Sequence, residues 1–97
     1  MSIESNDRHA LTVLRQYLEA RNEIRSVREE QSARASKVHA DRRDGLIDAA
    51  VVGQAVMEAA EYGEDQIIAT QVRMDAAMDL LNAWHRGERI ILEKLSS

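Results

Sequence analysis

The residues best equipped for chemistry in this chain are charged and lie in rows. Arg21, Arg25, Arg28, Ser32, Ser36, His39 and Arg43 follow one another at intervals of 4, 3, 4, 4, 3 and 4. At 100 degrees per residue all seven fall within roughly 80 degrees of one helix face. No acid shares that stripe. Guanidinium forks donate bidentately to phosphates and carboxylates, and hydroxyls add neutral donors, so the stripe has the composition of an anion, nucleotide or nucleic-acid site. The same row also fits docking to an acidic partner, or a solvated face whose arginines pair with acids of another helix or subunit. A second constellation is acidic: Glu58 with Glu61, then Asp75 with Asp79. Carboxylate pairs at helical spacing can hold a hard cation such as Mg²⁺ through oxygen ligands. They can equally form an acidic docking surface for a basic protein.

The stretch VMEAAE, followed by MDAAMDLLNAW, resembles the E-x-x-E and E-x-x-D segments of the all-helical MazG-like nucleotide pyrophosphohydrolases. That resemblance implies Mg²⁺-dependent nucleotide hydrolysis with Glu58, Glu61, Asp75 and Asp79 as the metal-holding set. The second half departs from the family pattern, reading D-x-x-x-D with Met78 where the last carboxylate lies. In a hairpin turning near Gly63 the pairs also sit at different heights, Glu58 about 7 Å and Asp75 about 18 Å from the turn. One subunit then cannot close both pairs on one ion, and the expectation is a protein that is not an enzyme.

Other site chemistry is thin. His9, His39 and His85 have no second His at helical spacing and the chain has no Cys, so neither a metal nor another cofactor is expected. The four glycines are isolated, which excludes phosphate-cradling loops. A helix-turn-helix over residues 36–62 fails because the would-be reading helix carries acids and alanines. Trp84, with Met74, Met78 and Leu81, reads as a core or interface anchor, since large aromatics dominate burial where the neighbours are small.

These side chains must be positioned by helices. No Gly or Pro interrupts the chain before Gly45, and Ala10, Val13, Tyr17, Ala20, Ile24, Val27, Gln31, Arg34 and Val38 alternate in steps of three and four, a coiled-coil seam. Leu11, Leu14 and Leu18 add a second apolar row in the first half only. Asp41-Arg42-Arg43-Asp44-Gly45 marks a reversal, with Asp44 placed to cap the central helix. Leu46 to Tyr62 is apolar or small except at Asp48, Gln54, Glu58 and Glu61, and Ala49, Gly53 and Ala60 would let a partner backbone approach. Such a helix needs cover on most of its circumference. A second turn is expected at Gly63. The last helix then carries Ile67, Met74, Met78, Leu81, Leu92 and Leu95 on its seam, with Gln71, His85 and Glu88 filling the gaps.

The 97 residues are expected to form one domain, 1–97, with helices at about 6–40, 45–62 and 65–95. The fold class is all-α: an antiparallel three-helix bundle with two long helices and a short, largely buried central helix, completed by dimerisation because the central helix covers only part of each long seam. The net charge of −4 is uneven, with residues 46–82 holding seven acids against Arg73 alone. That balance disfavours nonspecific nucleic-acid binding by the whole molecule but leaves room for a local basic surface. The first ten residues lack an apolar signal core and no apolar run reaches membrane-span length, so a soluble cytoplasmic protein without a membrane partner is expected. The functional expectation is a small acidic, homodimeric protein-binding module, an adaptor, assembly factor or inhibitor.

Overall fold

The structure is a computed structural model, describing the backbone of residues 3–96 and the side chains of residues 5–95. Helix α1 runs Ile3–Arg43, α2 Ala49–Glu61 and α3 Glu64–His85, and a short 3-10 helix comes last at Leu92–Ser96. All regular structure among the described residues is helical. The molecule is a rod of 66 × 18 × 18 Å. Helix α1 has 41 residues, which at 1.5 Å each come to about 62 Å, so it alone sets that length.

Helix α1 begins ahead of its expected start, leaving Ser5 and Asn6 inside it rather than capping it. It ends at Gly45, whose φ of 73° places it in the left-handed region. The Gly45 N–H donates to the Arg42 carbonyl at 3.1 Å and the Leu46 N–H to the Asp41 carbonyl at 2.8 Å, the two-bond glycine cap. Asp44 belongs to that cap turn. It is Asp48 that starts α2, its carboxylate accepting from the Ala50 N–H at 3.3 Å. The α1 seam is the expected one: Ala10, Val13, Ala20 and Val27 are buried, and Tyr17, Ile24, Gln31 and Val38 are partly so. Only Arg34 on that seam stays exposed.

The expected reversal at Gly63 is replaced by a bend. Along α1, Asp7 meets Trp84, Glu23 meets Gln66 and Arg73, Val27 meets Gly63, and Gln31 meets Ala60, Tyr62 and Glu64. As numbers rise on α1 they fall on its partner without interruption past Gly63. Helices α2 and α3 therefore form one bent arm running antiparallel to α1, each packing on α1 rather than along the other. The cause is local. Gly63 takes a φ of 70°, which breaks the hydrogen-bond ladder for one residue without turning the chain back. The Gln31 amide reaches across to the freed carbonyls of Ala60 at 2.9 Å and Tyr62 at 2.8 Å. A polar residue on the seam thus caps the break.

This topology corrects the central helix. With α1 as its only neighbour, α2 buries Ala59 alone, and Val51 and Met57 on it are 48% and 62% exposed. The last helix is corrected too, because it stops at His85. Gly87 has a φ of 82°, its N–H donates to the Trp84 carbonyl, and the Glu88 N–H donates to the Ala83 carbonyl. The chain then folds back over the α1–α3 seam. The Asn6 side chain holds it, donating to the Glu88 carbonyl at 3.1 Å and accepting from the Ile90 N–H at 2.8 Å. Ile90 is buried in the core with Ala10, Val13, Ala77 and Leu80, and Leu92 and Leu95 pack against that cluster. The α3 seam is rotated by one residue from the expected phase, through Thr70 and Ala77 instead of Gln71 and Met78. Requiring one unbroken helix to carry Leu92 and Leu95 forces the wrong phase; the folded-back tail delivers those leucines instead.

Candidate functional site

The buried seam divides α1 into two flanks. On one, Glu19, Glu23, Glu30, Lys37 and Asp41 lie roughly 75 to 115 degrees from the seam, with the seam residue Arg34 at the near edge. This flank faces the tail, since Gln16, Glu19, Glu23, Arg73 and Leu95 line a common cleft. Its charges are matched except at Glu19. Glu30 pairs with Arg34 at 3.1 Å and Asp41 with Lys37 at 3.0 Å. Glu23 accepts from Gln66 at 2.9 Å and from Arg73 at 2.7 Å. The Gln66 hydrogen bond, with the bond and charge of Arg73, holds the Glu23 carboxyl below the ordinary glutamate range. Arg73 in turn donates to the hydroxyl of the buried Thr70 at 3.0 Å. Further along this flank a surface cleft of about 440 Å³ lies between α1 and α2, where the Arg34 guanidinium stacks 3.7 Å over the Tyr62 ring.

The opposite flank is open. Leu11, Leu14 and Leu18 are 63%, 42% and 43% exposed. The register set by Asp7 with Trp84 and Val27 with Gly63 brings them level with Leu81, Met78 and Met74 of α3. Met78 lies on the side of α3 away from the tail and is 39% exposed, while Met74 and Leu81 are half-buried beside it. The expected interface residues therefore gather with the leucine row along one open strip. One turn further on, Trp84 is 40% exposed with its indole N–H donating to Asp7 at 2.9 Å.

Beyond the leucines the same flank carries the arginine stripe. Arg21, Arg25, Arg28, Ser32, Ser36, His39 and Arg43 are all exposed. Among the described residues none of its four arginines forms an ion pair, with acids of another helix or of its own. Arg15 with Glu19 and Arg25 with Glu29, though spaced i, i+4, form no ion pair among the described residues either. Level with the Ser32 to Arg43 part of the stripe, α2 carries Ala49, Gly53 and Ala60, all exposed, and a Cβ added at Gly53 would meet nothing within 4 Å.

The acidic set does not converge. Glu58, Glu61, Asp75 and Asp79 are exposed. Glu58 accepts from Gln54 at 3.3 Å and Asp75 from Gln71 at 3.0 Å, each within its own helix. The bent arm separates Glu58 from Asp75 by seventeen residues, about 25 Å along its axis. Among the described residues no group of three His, Asp or Glu side chains gathers around a possible metal position, and none of the helices is long and apolar enough to cross a membrane.

What the sequence reading missed is the tail and its anchor, Asn6. The signal for it was Gly87 directly after His85-Arg86, a glycine cap preceded by basic residues in the last turn. Compared with protein-family models, curated proteins and solved structures, the chain gives no significant match to any.

Proposed function

We propose that the chain is a homodimeric helical-hairpin interaction module whose open flank pairs with a second copy. One observation carries this reading: Leu11, Leu14 and Leu18 stand exposed and level with Met78 along a single strip. A patch of that kind is self-complementary, as a two-fold interface requires. The monomer has reason to pair, since the largest side chains it buries completely are Val13 and Thr70. A core of that size supports a small domain only marginally.

The paired module keeps Glu58, Glu61, Asp75 and Asp79 in solvent on the arm, and a basic protein surface is the partner that suits them. Alanine at all four should abolish capture of that partner while leaving the mass of the dimer unchanged.

Sedimentation equilibrium tests the pairing. Burying a leucine fully is worth about 1.5–3 kcal/mol, so covering the exposed part of Leu14 contributes about 0.6–1.3 kcal/mol in each copy. Because a two-fold interface counts each change twice, Leu14→Glu should weaken the dimer by at least about 10- to 70-fold. Burying the new charge adds to that loss. The helical circular dichroism should not change, since the position is already half in water. A wild type that sediments as a monomer throughout the concentration range would overturn the reading, and so would a Leu14→Glu variant that pairs as tightly as wild type.

A further inference from the structure

The charges of α1 are sorted by flank, and the sorting points to a second ligand. Every ion pair that α1 makes among the described residues lies on the tail-facing flank or at its edge, through Glu23, Glu30 with Arg34, and Lys37 with Asp41. The open flank keeps Arg21, Arg25, Arg28 and Arg43 without a carboxylate partner. Glu29 lies at its edge and Asp44 directly follows Arg43, neither in an ion pair among the described residues, and the Glu64 carboxylate on the arm is turned to the Gln31 amide at 3.2 Å. From Arg21 to Arg43 the stripe runs about 33 Å along a straight helix. Level with its second half α2 carries the small, exposed Ala49, Gly53 and Ala60, and Arg21, Arg25 and Arg28 lie level with Tyr62 and the start of α3.

We propose that this stripe binds the phosphodiester backbone of a nucleic-acid strand without reading its sequence. The chemistry selects the ligand class. All four cations are arginines, whose planar forks match phosphate oxygens, and Ser32 and Ser36 add neutral donors between them. No apolar or aromatic side chain lies within the stripe itself. A protein partner would need such anchors to bury, whereas a phosphate backbone needs only charge and donors. For the same reason no base is stacked or read. The net charge of −4 opposes association at long range, so the binding belongs to low and moderate salt.

The test is fluorescence anisotropy of a labelled 20-nucleotide single strand, in thymine-only and mixed sequences, titrated with the full chain across a salt series. Both strands should bind equally, and log K should fall with log salt with a slope of about −3, from four neutralised phosphates at roughly 0.7 each. R21E/R25E/R28E should lose at least about tenfold in affinity, and the charge-neutral R21Q/R25Q/R28Q should bring the slope to about −1. The control, R8E/R15E/R89E, makes the same change in net charge at exposed positions off the stripe and should bind within a few fold of wild type. Circular dichroism verifies that each variant is helical. No binding by wild type at 20 mM salt would overturn the proposal. So would equal losses in the stripe and control variants, which would mean that net charge decides, or equally tight binding of a labelled polyglutamate peptide, which would assign the stripe to an acidic protein partner. None of these readouts depends on the mass of the protein, so the proposal and the dimer reading fail separately.

Discussion

Replacing Gly63 with alanine tests the bend that sets the whole topology. In a straight helix this change is favourable, because alanine exceeds glycine by about 1 kcal/mol in a helix interior. The structure demands the opposite sign. Gly63 has a φ of 70°, and a Cβ built on it lies 2.5 Å from Cγ1 of Val27, itself on the buried seam. The left-handed conformation costs an L-residue about 1–2 kcal/mol, and forcing a methyl group into a packed seam costs about 1–3 kcal/mol. The sum is about 2–5 kcal/mol, or a fall in Tm of about 8–20 °C or more for a domain of this size. Urea and thermal unfolding followed by circular dichroism would measure it. Val27→Ala in the same chain should recover the steric part, so the double variant should be more stable than the two single losses added together. Gly53 supplies the internal reference: it is helical with open space around it, and Gly53→Ala should stabilise by about 0.5–1 kcal/mol. If Gly63→Ala stabilised the protein as Gly53→Ala should, the arm would be a continuous helix and the bend would be wrong.

Two further predictions probe the tail and the charged flank. Asn6→Ala removes both bonds to the tail and leaves the partly buried Ile90 N–H unpaired; a loss of about 1–3 kcal/mol is expected, with faster hydrogen exchange at the Ile90 amide and no change in exchange along α2. Glu23 has a folded-state pKa below its unfolded value, so its stabilising contribution is complete above the ordinary glutamate range and is lost as pH falls through the depressed value. Between pH 6 and pH 3 the Tm of wild type should therefore drop further than that of Glu23→Gln. Parallel curves would show that the Gln66 and Arg73 contacts do not matter.

Much of this architecture was legible in the sequence, and the failures share a physical origin. The α1 seam could be read because a long run without Gly or Pro leaves only one periodicity, and residues such as Val13 and Val27 are buried where it places them. Gly45 was legible for the same reason as Gly87 should have been, since both end helices with a left-handed residue. Gly63 misled because a left-handed glycine fixes one residue's conformation and not the direction of the next helix. That direction depends on what α1 offers, here Val27 and the Gln31 amide. The apolar circumference of α2 read as needing cover on most sides, yet with α1 as its one neighbour α2 buries Ala59 alone, because composition does not say which element lies alongside. The stripe and the leucine row were placed on adjoining positions of one helix face, and the structure keeps them there. What spacing could not reveal is that Glu23, Glu30 and Asp41 are engaged on the other flank, leaving these arginines open.

Pairing of the open flank with another copy is the central claim, and native mass spectrometry of the wild-type protein, purified gently from the cells that make it, examines it directly. The expected species weighs twice 10.9 kDa, alone or with a further partner, and gives way to single copies in Leu14→Glu. A wild-type spectrum holding only the 10.9 kDa monomer at concentrations where helical dimers persist would contradict it.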